Sequence, residues 1–337
     1  MAGFTRKQFA TASLATLASI NVVRSPARAA QFTLKLGCVV GKKHPISVHA
    51  FEISRLIAIE SNNRIDLQVF PHGILGTNIA MSSQLDSDAL QFQVIEGAVF
   101  GNMVPVAAIS SVAYAFQDSA HALDAADGEL GRYVHKELLA KGFYAYERCC
   151  SSGMFQITSS RGPIASVADL LGLKIRTRPA KIALDFFESL GATPIPMDLN
   201  QTYAALKAKT VDAQENSFTN IALTHLNEVQ SNLSVTNHMW STYWILGNME
   251  AWKALPRDLQ VVMERNFGRL VAWARHDVAL QNVSSAQKLA RLGLTTNQPA
   301  QDTFRAKLGA SGFYKTWRAE FGETAWNALE KYAGKLA

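Results

Sequence analysis

Two arginines stand together where a predicted strand ends. The stretch KIRT, residues 174–177, has the pattern of a short strand, and a helix is predicted over 181–190. Arg176 and Arg178 lie at the junction between them. A guanidinium carries five donors in a planar fork and pairs bidentately with a carboxylate. At the carboxyl end of a strand in an α/β sheet it faces the crevice where ligands bind, and the next helix N-terminus favours anions. The pair therefore predicts a site for an anionic ligand, with a structural ion pair as the alternative.

Signatures of catalysis and metal binding are missing from the sequence. It contains no H-E-x-x-H, G-x-S-x-G, Walker A or G-x-G-x-x-G motif. His44 and His49 are five residues apart, a poor helical spacing for a shared metal, and no Cys-x-x-Cys pair exists. We therefore predict no cofactor and no metal. A secreted hydrolase that uses Cys149 or His44 is the alternative from another functional class.

Strand and helix patterns alternate along most of the chain. Strands are predicted at FTLKLGCVV, RIDLQVF, LQFQVI, YAYERCC and MFQITSS in the first half, and at KIRT, TPIPM, AQEN, LSV and TYWILG in the second. Such alternation predicts parallel pairing and an α/β fold. From Asp258 the pattern is helical for over thirty residues with apolar residues close to one face. A helix of that length can brace two lobes.

The first 29 residues have the three parts of an export signal. MAGFTRKQ is a charged start, FATASLATLASINVV is uncharged and too short to span a bilayer comfortably, and PARAA supplies small residues in the A-x-A arrangement. Cleavage is expected after Ala29. The stretch TRKQF also resembles a twin-arginine signal with Lys7 in place of the second arginine, so the route, Tat-like or Sec, stays open. The mature protein is expected outside the cytoplasm.

The positive charge of the chain is concentrated in this leader. The formal net charge is +6, from 33 basic and 27 acidic residues. Residues 1–29 contain four of the basic residues and no acid, so the remainder carries 29 basic against 27 acidic residues, a formal +2. A nucleic-acid partner is therefore not predicted.

The three cysteines cannot form a disulfide framework. Cys149 and Cys150 are adjacent and can bond to each other only with strain. A bridge from Cys38 to one of them is therefore the expectation if any bridge forms, and buried free thiols are the alternative.

Several segments resemble one family in their ordered combination. They are HP at 44–45, VFPHGILG, LQFQVIEGA, GLKIRTRP, LGATPIPMDLNQTYAALKAKTVDAQEN, VTNHMW and WKALP. This set is similar to the DctP-type extracytoplasmic solute-binding proteins of tripartite ATP-independent periplasmic (TRAP) transporters, over essentially the whole mature chain. The resemblance implies a two-lobed periplasmic-binding-protein fold, type II-like. It also implies a monomeric, periplasmic binding protein that is not an enzyme, whose partners are a small organic acid and the TRAP membrane permease subunits. A ligand-sensing subunit of a signalling receptor would use the same lobes.

The resemblance also assigns candidate ligand contacts. In that family the arginine of the LK-I/L-R strand binds the substrate carboxylate, which maps to Arg176. Arg178 is then a supporting residue, and we expect its replacement to cost about 1 kcal/mol or less, as for an exposed pair. The family motif D-G-x-E-N-P stands here as DAQENS, and its asparagine is Asn216. A polar residue after the third strand maps to Glu96. Phe155 stands where the sialate-binding branch has a second arginine, which argues against a sialate-like ligand.

Aromatic and histidine side chains complete the expected site. Trp240 and Tyr243 can stack on a ring, and Tyr243 adds a polar tip. Each candidate also has a structural alternative: Trp240 in the core, Glu96 as a solvated loop acid, and His44 or Asn216 as a helix cap. The predicted solute is a monocarboxylate. A sugar acid comes first because polar side chains of the site can share its hydroxyls, and an aromatic or hydroxy acid is the alternative because Phe155 and Trp240 are apolar.

The expected division of the chain follows from a two-lobed fold. After the signal at 1–29, lobe I comprises 30–153 with 242–281, and lobe II comprises 154–241 with 282–337.

Overall fold

The computed structural model describes residues 29–336. The predicted export signal, apart from Ala29, lies outside the described residues. None of the helices between residues 29 and 336 combines the length and the apolar character that a bilayer crossing requires.

The described part of the chain forms a mixed sheet with helices packed on it. The strands are β1 Phe32–Gly37, β2 Ile65–Phe70, β3 Phe92–Glu96, β4 Phe143–Ala145, β5 Cys150–Ser159, β6 Lys174–Thr177, β7 Thr193–Pro196, β8 Ala213–Ser217, β9 Asn232–Ser234, β10 Trp240–Asn248 and β11 Thr295–Asn297. The helices are α1 Pro45–Glu60, α2 Asn78–Asp86, α3 Gly97–Phe100, α4 Ser119–Asp127, α5 Glu129–Ala140, α6 Lys181–Ser189, α7 Leu199–Lys207, α8 Phe218–Leu223, α9 Met249–Ala254, α10 Arg257–Arg291, α11 Asp302–Ser311, α12 Phe313–Phe321 and α13 Glu323–Ala333.

The sheet has the strand order β2-β1-β3-β10-β5-β8-β6-β7. In the first lobe β1 pairs in parallel with β2 and β3, and in the second lobe β6 pairs in parallel with β7 and β8. The strands β5 and β10 run antiparallel to each other and to these sets, and they join the two lobes. The predicted two-lobed α/β fold is confirmed. Because the carboxyl ends of β1, β3, β6 and β8 point into the space between the lobes, side chains there are positioned for a ligand.

The long helix α10 braces both lobes. Its 35 residues span about 52 Å at the helical rise of ~1.5 Å. It contacts α1 in the first lobe and both β5 and α8 in the second. The apolar face that the sequence predicts is buried, namely Leu259, Met263, Phe267, Leu270, Ala274 and Val278.

A carboxylate at the end of α4 ties this helix to the first lobe. Asp127 accepts hydrogen bonds from Arg275 of α10 at 2.7 and 2.8 Å, and from Arg148 at 2.7 Å. Partial burial alone would raise the pKa of Asp127, but the hydrogen bonds and charges of the two arginines hold it well below its usual range. A carboxyl whose pKa is depressed in the folded state stabilises the protein above its unfolded pKa, and this contribution is lost as the pH falls.

Replacement of this carboxylate tests the brace. We expect Asp127→Asn to lower the free energy of unfolding by about 1 kcal/mol near neutral pH, the upper range for a partly exposed pair. The difference from the parent should shrink as the pH falls below about 4, where an unfolded aspartate becomes protonated. Urea unfolding at neutral and acid pH measures both quantities. A difference that grows with acidity would contradict the assigned ionisation.

The three cysteines form no bridge, and the expectation of buried free thiols is confirmed. All three cysteines are free and buried, and the Sγ atom of Cys38 lies 3.6 Å from the Oγ atom of Ser47. Cys38 follows β1, whereas Cys150 begins β5, and β3 and β10 lie between these strands. Three strand spacings amount to about 14 Å, which is about twice the Cα separation that a disulfide spans.

The chain limits of the lobes stay a proposal. We propose 30–153 with 242–281 for lobe I and 154–241 with 282–337 for lobe II as a working division. Helices α12 and α13 bridge it, since α12 packs on α6 of lobe II while α13 packs on α4 and α5 of lobe I.

Candidate ligand-binding site

A small cavity of about 20 Å³ lies between the lobes, at the carboxyl ends of β3, β6 and β8. Five of the predicted site residues line it, namely Arg176, Asn216, Glu96, Tyr243 and Phe155. Arg178 also lines it, with Asn78, Asp198 and Asn220, which the sequence analysis did not single out. The cavity therefore gathers two arginines and several amide and carboxyl groups at the predicted crevice.

The Arg176 guanidinium is buried but lacks a carboxylate partner. Its Nε and Nη2 atoms donate to the carbonyl oxygen of Met197 at 3.0 and 2.7 Å, and its Nη1 atom donates to the carbonyl oxygen of Glu215 at 3.4 Å. No carboxylate oxygen within residues 29–336 lies within 4.0 Å of this guanidinium. Burial lowers the pKa of Arg176, against the effect of nearby acids. The carbonyl groups fix the orientation of the fork, and the remaining N–H groups are available to an anion.

Arg178 is buried, so its predicted exposure is wrong. Its side chain is 3% exposed, its Nη1 atom lies 2.5 Å from the Oε2 atom of Glu215, and its Nε atom lies 2.9 Å from the Oε1 atom of Glu96. The guanidinium also covers the ring of Phe155 at 4.1 Å. Because the backbone N–H of Arg178 donates to Glu215 at 3.2 Å, the chain after β6 stays inside the crevice and carries this side chain inward. Two carboxylates thus pair with Arg178, whereas Arg176 has no ion-pair partner within residues 29–336.

Glu215 is the buried counter-charge of the site. Burial would raise the pKa of Glu215, but the Arg178 charge and the His238 imidazole, whose Nε2 atom lies 3.6 Å from the Oε2 atom of Glu215, lower it to about 2. It is therefore ionised at physiological pH. The sequence analysis quoted this residue within DAQEN but gave it no role, because a strand pattern does not show that its side chain meets an arginine at the end of the neighbouring strand.

Two buried oxygen atoms at the inner cavity have no hydrogen-bond donor within residues 29–336. They are Oε1 of Glu96 and Oδ1 of Asn78. The Glu96 oxygen lies close to Arg178, but the geometry is not that of a hydrogen bond. Glu96 is buried, so it is not a solvated loop acid, and burial raises its pKa although the Arg178 charge opposes this. Unsatisfied buried acceptors are costly, so both groups are suited to accept from ligand hydroxyls.

Asn216 is held by its neighbour on the next helix. Its Oδ1 atom accepts from Nδ2 of Asn220 at 2.8 Å and from the backbone N–H of Ser217 at 3.1 Å. The N-cap of α8 is Ser217, whose side chain accepts from the N–H of Asn220. Asn216 is therefore not the cap of this helix, and its amide NH₂ group can face a ligand.

Trp240 does not lie at the cavity. Its Nε1 atom donates to Oγ of Ser151 at 3.1 Å, and its ring packs edge-on against Phe116. The register of β10 against β5 shifts between Trp240 and Thr242, so the alternation that would predict its direction is interrupted. Trp240 therefore belongs to the core, which was the structural alternative to a ligand contact for this residue.

His44 caps helix α1. Its Nδ1 atom accepts from the backbone N–H of Ile46 at 3.2 Å. Burial lowers the pKa of His44 to about 3, so the ring is neutral at physiological pH. It lines a second cavity of about 490 Å³ that lies outside the first and shares Val39, Leu199 and Asn220 with it. We call these two spaces the inner and the outer cavity.

Hydrogen bonds close the crevice on two sides of the inner cavity. Asn78 of the first lobe donates to the Asp198 carboxylate of the second from its backbone N–H at 3.0 Å and from Nδ2 at 2.9 Å. On the other side, Nδ2 of Asn102 donates to the carbonyl oxygen of Pro179 at 2.7 Å, and the N–H of Lys181 donates to Oδ1 of Asn102 at 3.2 Å. We call these contacts the interlobe clasp. The structure therefore represents a closed arrangement of the lobes.

The profile of the family described as bacterial extracellular solute-binding protein, family 7 (DctP), matches residues 36–312. The chain belongs to this family. It is 30% identical to the solute-binding protein RD1_1052 of Roseobacter denitrificans over 72% of this chain and 76% of that protein. It is also 30% identical to the 2,3-diketo-L-gulonate-binding periplasmic protein YiaO of Escherichia coli, over 68% and 69% of the two chains.

Solved structures share the fold of this TRAP solute-binding protein. The sugar acid binding protein DctPAm from Advenella mimigardefordensis, in complex with galactonate, superposes with a TM-score of 0.84 over 90% of this chain and 98% of that one. The sequence identity between them is 22%, so the likeness supports the two-lobed fold alone.

The hydrolase alternative gains no support from its candidate residues. Burial raises the pKa of the Cys149 thiol to about 11, although the Arg275 charge opposes this, and a buried thiol in such surroundings is a poor nucleophile. His44 is a neutral helix cap. Within residues 29–336 no group of three or more histidine, cysteine or acidic side chains could hold a metal ion.

Proposed function

We propose that this TRAP solute-binding protein captures a monocarboxylate that carries a hydroxyl group, the class to which sugar acids belong. The observation that supports the proposal is the buried Arg176 guanidinium, which has fixed geometry and no carboxylate partner beside an Arg178 that pairs with two carboxylates. Arg176 is the guanidinium of the site without a direct ion-pair partner in the described part of the chain, so its free N–H groups suit one carboxylate. A second anionic group at the inner cavity would meet Glu96 and Asp198, and like charges there are costly.

The unsatisfied oxygen atoms favour a hydroxylated solute. The Oε1 atom of Glu96 and the Oδ1 atom of Asn78 can each accept from a hydroxyl, and Asn216 and Tyr243 add further polar groups. The ligands of two relatives support this class, since YiaO is named for 2,3-diketo-L-gulonate and DctPAm was crystallised with galactonate, whereas the DctP protein of Rhodobacter capsulatus is named for C4-dicarboxylates. In this proposal the chain acts as a monomer in the periplasm, delivers its solute to the TRAP membrane permease subunits and catalyses no reaction.

Calorimetry on the mature protein tests the proposed ligand class. Galactonate and lactate supply a carboxylate with a neighbouring hydroxyl, galactose supplies hydroxyls without charge, and succinate supplies two carboxylates. We expect binding of at least one hydroxy acid, no measurable binding of galactose, and an affinity for succinate about tenfold or more below that of the better hydroxy acid, a difference of about 1.4 kcal/mol. Equal affinity for galactose and galactonate would exclude an anion anchor.

Ligand binding should close the lobes. A solute that contacts both lobes favours the closed state and shifts the population only by its difference in affinity for the two states. We therefore expect the radius of gyration from small-angle scattering to fall when the ligand that calorimetry identifies is added at saturation. The galactose sample serves as the control. An unchanged radius with confirmed binding would contradict hinge closure.

Export with cleavage after Ala29 is part of the same proposal. The charged start, the apolar run and the small residues before Ala30 support it. Protein purified from a periplasmic fraction should begin at Ala30 or within a few residues of it, which intact-mass measurement determines. A mass that includes Met1 would argue against a cleaved signal.

A further inference from the structure

Most of the space between the closed lobes lies in the outer cavity. Its volume is about 490 Å³, against about 20 Å³ for the inner cavity. A space of ~20 Å³ holds about one water molecule, so the lobes must stand slightly further apart than in this structure when a carboxylate is bound there. The two cavities share Val39, Leu199 and Asn220, so a solute whose carboxylate reaches Arg176 has its other end directed towards the outer cavity. The chemistry of that cavity therefore constrains the rest of the solute.

Large apolar side chains from both lobes line the outer cavity. Val39 and Ile74 come from the first lobe, and Leu199, Tyr203 and Leu223 come from the second. Ile74 is 62% exposed, although isoleucine is a side chain that is usually buried. Apolar groups on two facing walls gain most when an apolar body between them leaves water.

Polar groups in the outer cavity are cationic or neutral. Lys42 and Lys43 are exposed, and the imidazoles of His72 and His225 lie near them. The residues that line this cavity in the described part of the chain include no aspartate or glutamate. Exposed lysines remain hydrated, so they favour the approach of an anion without fixing its geometry. The outer cavity thus admits an anionic solute and offers its body an apolar surface.

We infer that the solute is a hydroxy monocarboxylate with an apolar body, an aryl or alkyl group that occupies the outer cavity. The inference rests on the proposed function, because Arg176 must hold the carboxylate for the body to lie between Ile74 and Leu223. The carboxylate and hydroxyl are recognised in the inner cavity, and the five apolar side chains of the outer cavity select the remainder.

Four acids test the carboxylate and hydroxyl of the solute, which we call its head, separately from the remainder, which we call its body. Lactate is the head alone, phenyllactate adds a phenyl ring to the same head, 3-phenylpropionate keeps the ring without the hydroxyl, and galactonate carries a polar body. By calorimetry, phenyllactate should bind about tenfold or more tightly than lactate, because a buried ring leaves water. It should also bind more tightly than 3-phenylpropionate and galactonate.

Two leucine variants locate the effect. Leu223→Asn should lower the affinity for phenyllactate and remove most of the ratio between phenyllactate and lactate. Leu171→Asn changes an exposed leucine outside both cavities and should leave both affinities unchanged.

The inference is overturned if phenyllactate binds no more tightly than lactate or galactonate, or if Leu223→Asn preserves the ratio between phenyllactate and lactate. If galactonate binds tightly through Arg176 with no gain from a ring, only this inference fails. If no acid depends on Arg176, the proposed function fails with it.

Discussion

Arg176→Ala should nearly abolish ligand binding. Removal of one partner of a buried, hydrogen-bonded charge pair costs about 2–5 kcal/mol, which is roughly thirty- to several-thousand-fold in the dissociation constant. Arg176→Lys should recover only part of the affinity, because an ammonium group cannot reproduce the planar fork that the Met197 carbonyl orients. Calorimetry with the tightest-binding hydroxy acid measures both changes.

The controls for this variant address folding and charge. Arg161→Ala removes an exposed arginine of the second lobe and should leave the affinity unchanged. Arg176 also satisfies two backbone carbonyl groups, so the far-ultraviolet circular dichroism and the thermal midpoint of each variant must be compared with those of the parent. Full affinity in a folded Arg176→Ala variant would show that the anchor lies elsewhere.

Arg178→Ala should strongly destabilise the folded protein. The variant leaves Glu215 buried without its main partner, and breaking a buried ion pair on one side costs about 3–5 kcal/mol. This exceeds the 1 kcal/mol or less that exposure of Arg178 would imply. The free energy of unfolding in urea measures the change, and a loss below about 1 kcal/mol near neutral pH would contradict the structural role.

The pH dependence of this loss has a definite sign. In the parent, Arg178 helps to hold the pKa of Glu215 at about 2, so the pair stabilises the folded state above the unfolded glutamate pKa and loses this effect as the pH falls. Without Arg178, burial raises the pKa of Glu215 and acid relieves the penalty. The difference between variant and parent should therefore shrink in acid. Glu215→Gln combined with Arg178→Met should recover part of the stability, because Glu215 no longer leaves a buried charge without its partner.

Local sequence patterns predicted where strands and helices lie, but not which residues surround the ends of these strands and helices. The strand at 174–177 and the long helix from about 258 follow from periodicity and are observed at nearly the same bounds. In contrast, the helical stretch from Ser119 to Ala140 is divided at Gly128, where α4 ends and α5 begins. Propensity is a short-range property, and a single glycine between two helical patterns does not show whether the axis continues.

The direction of a side chain could be predicted from the sequence where its position on a strand determines that direction. Arg176 lies within β6, and its place at the carboxyl end of a parallel strand directs it to the crevice. Arg178 lies beyond the strand, so only the tertiary partners Glu96 and Glu215 determine its burial. Asn78 and Asp198 were missed because they meet across the two lobes, 120 residues apart, and each has a local role as well, at the start of α2 and as the cap of α7.

The interlobe clasp influences how long a solute stays bound, but not which solute the protein prefers. The side chain of Asn102, which lines neither the inner nor the outer cavity, joins the lobes through backbone groups of Pro179 and Lys181. Such bonds contribute the same free energy to closure whichever solute is enclosed, so they cannot change the ranking of solutes. They do change how long the closed complex persists before it opens, for every solute alike. The residues that line the cavities therefore determine which solute is preferred. The Asn102 bonds between the lobes contribute to the lifetime of the closed complex.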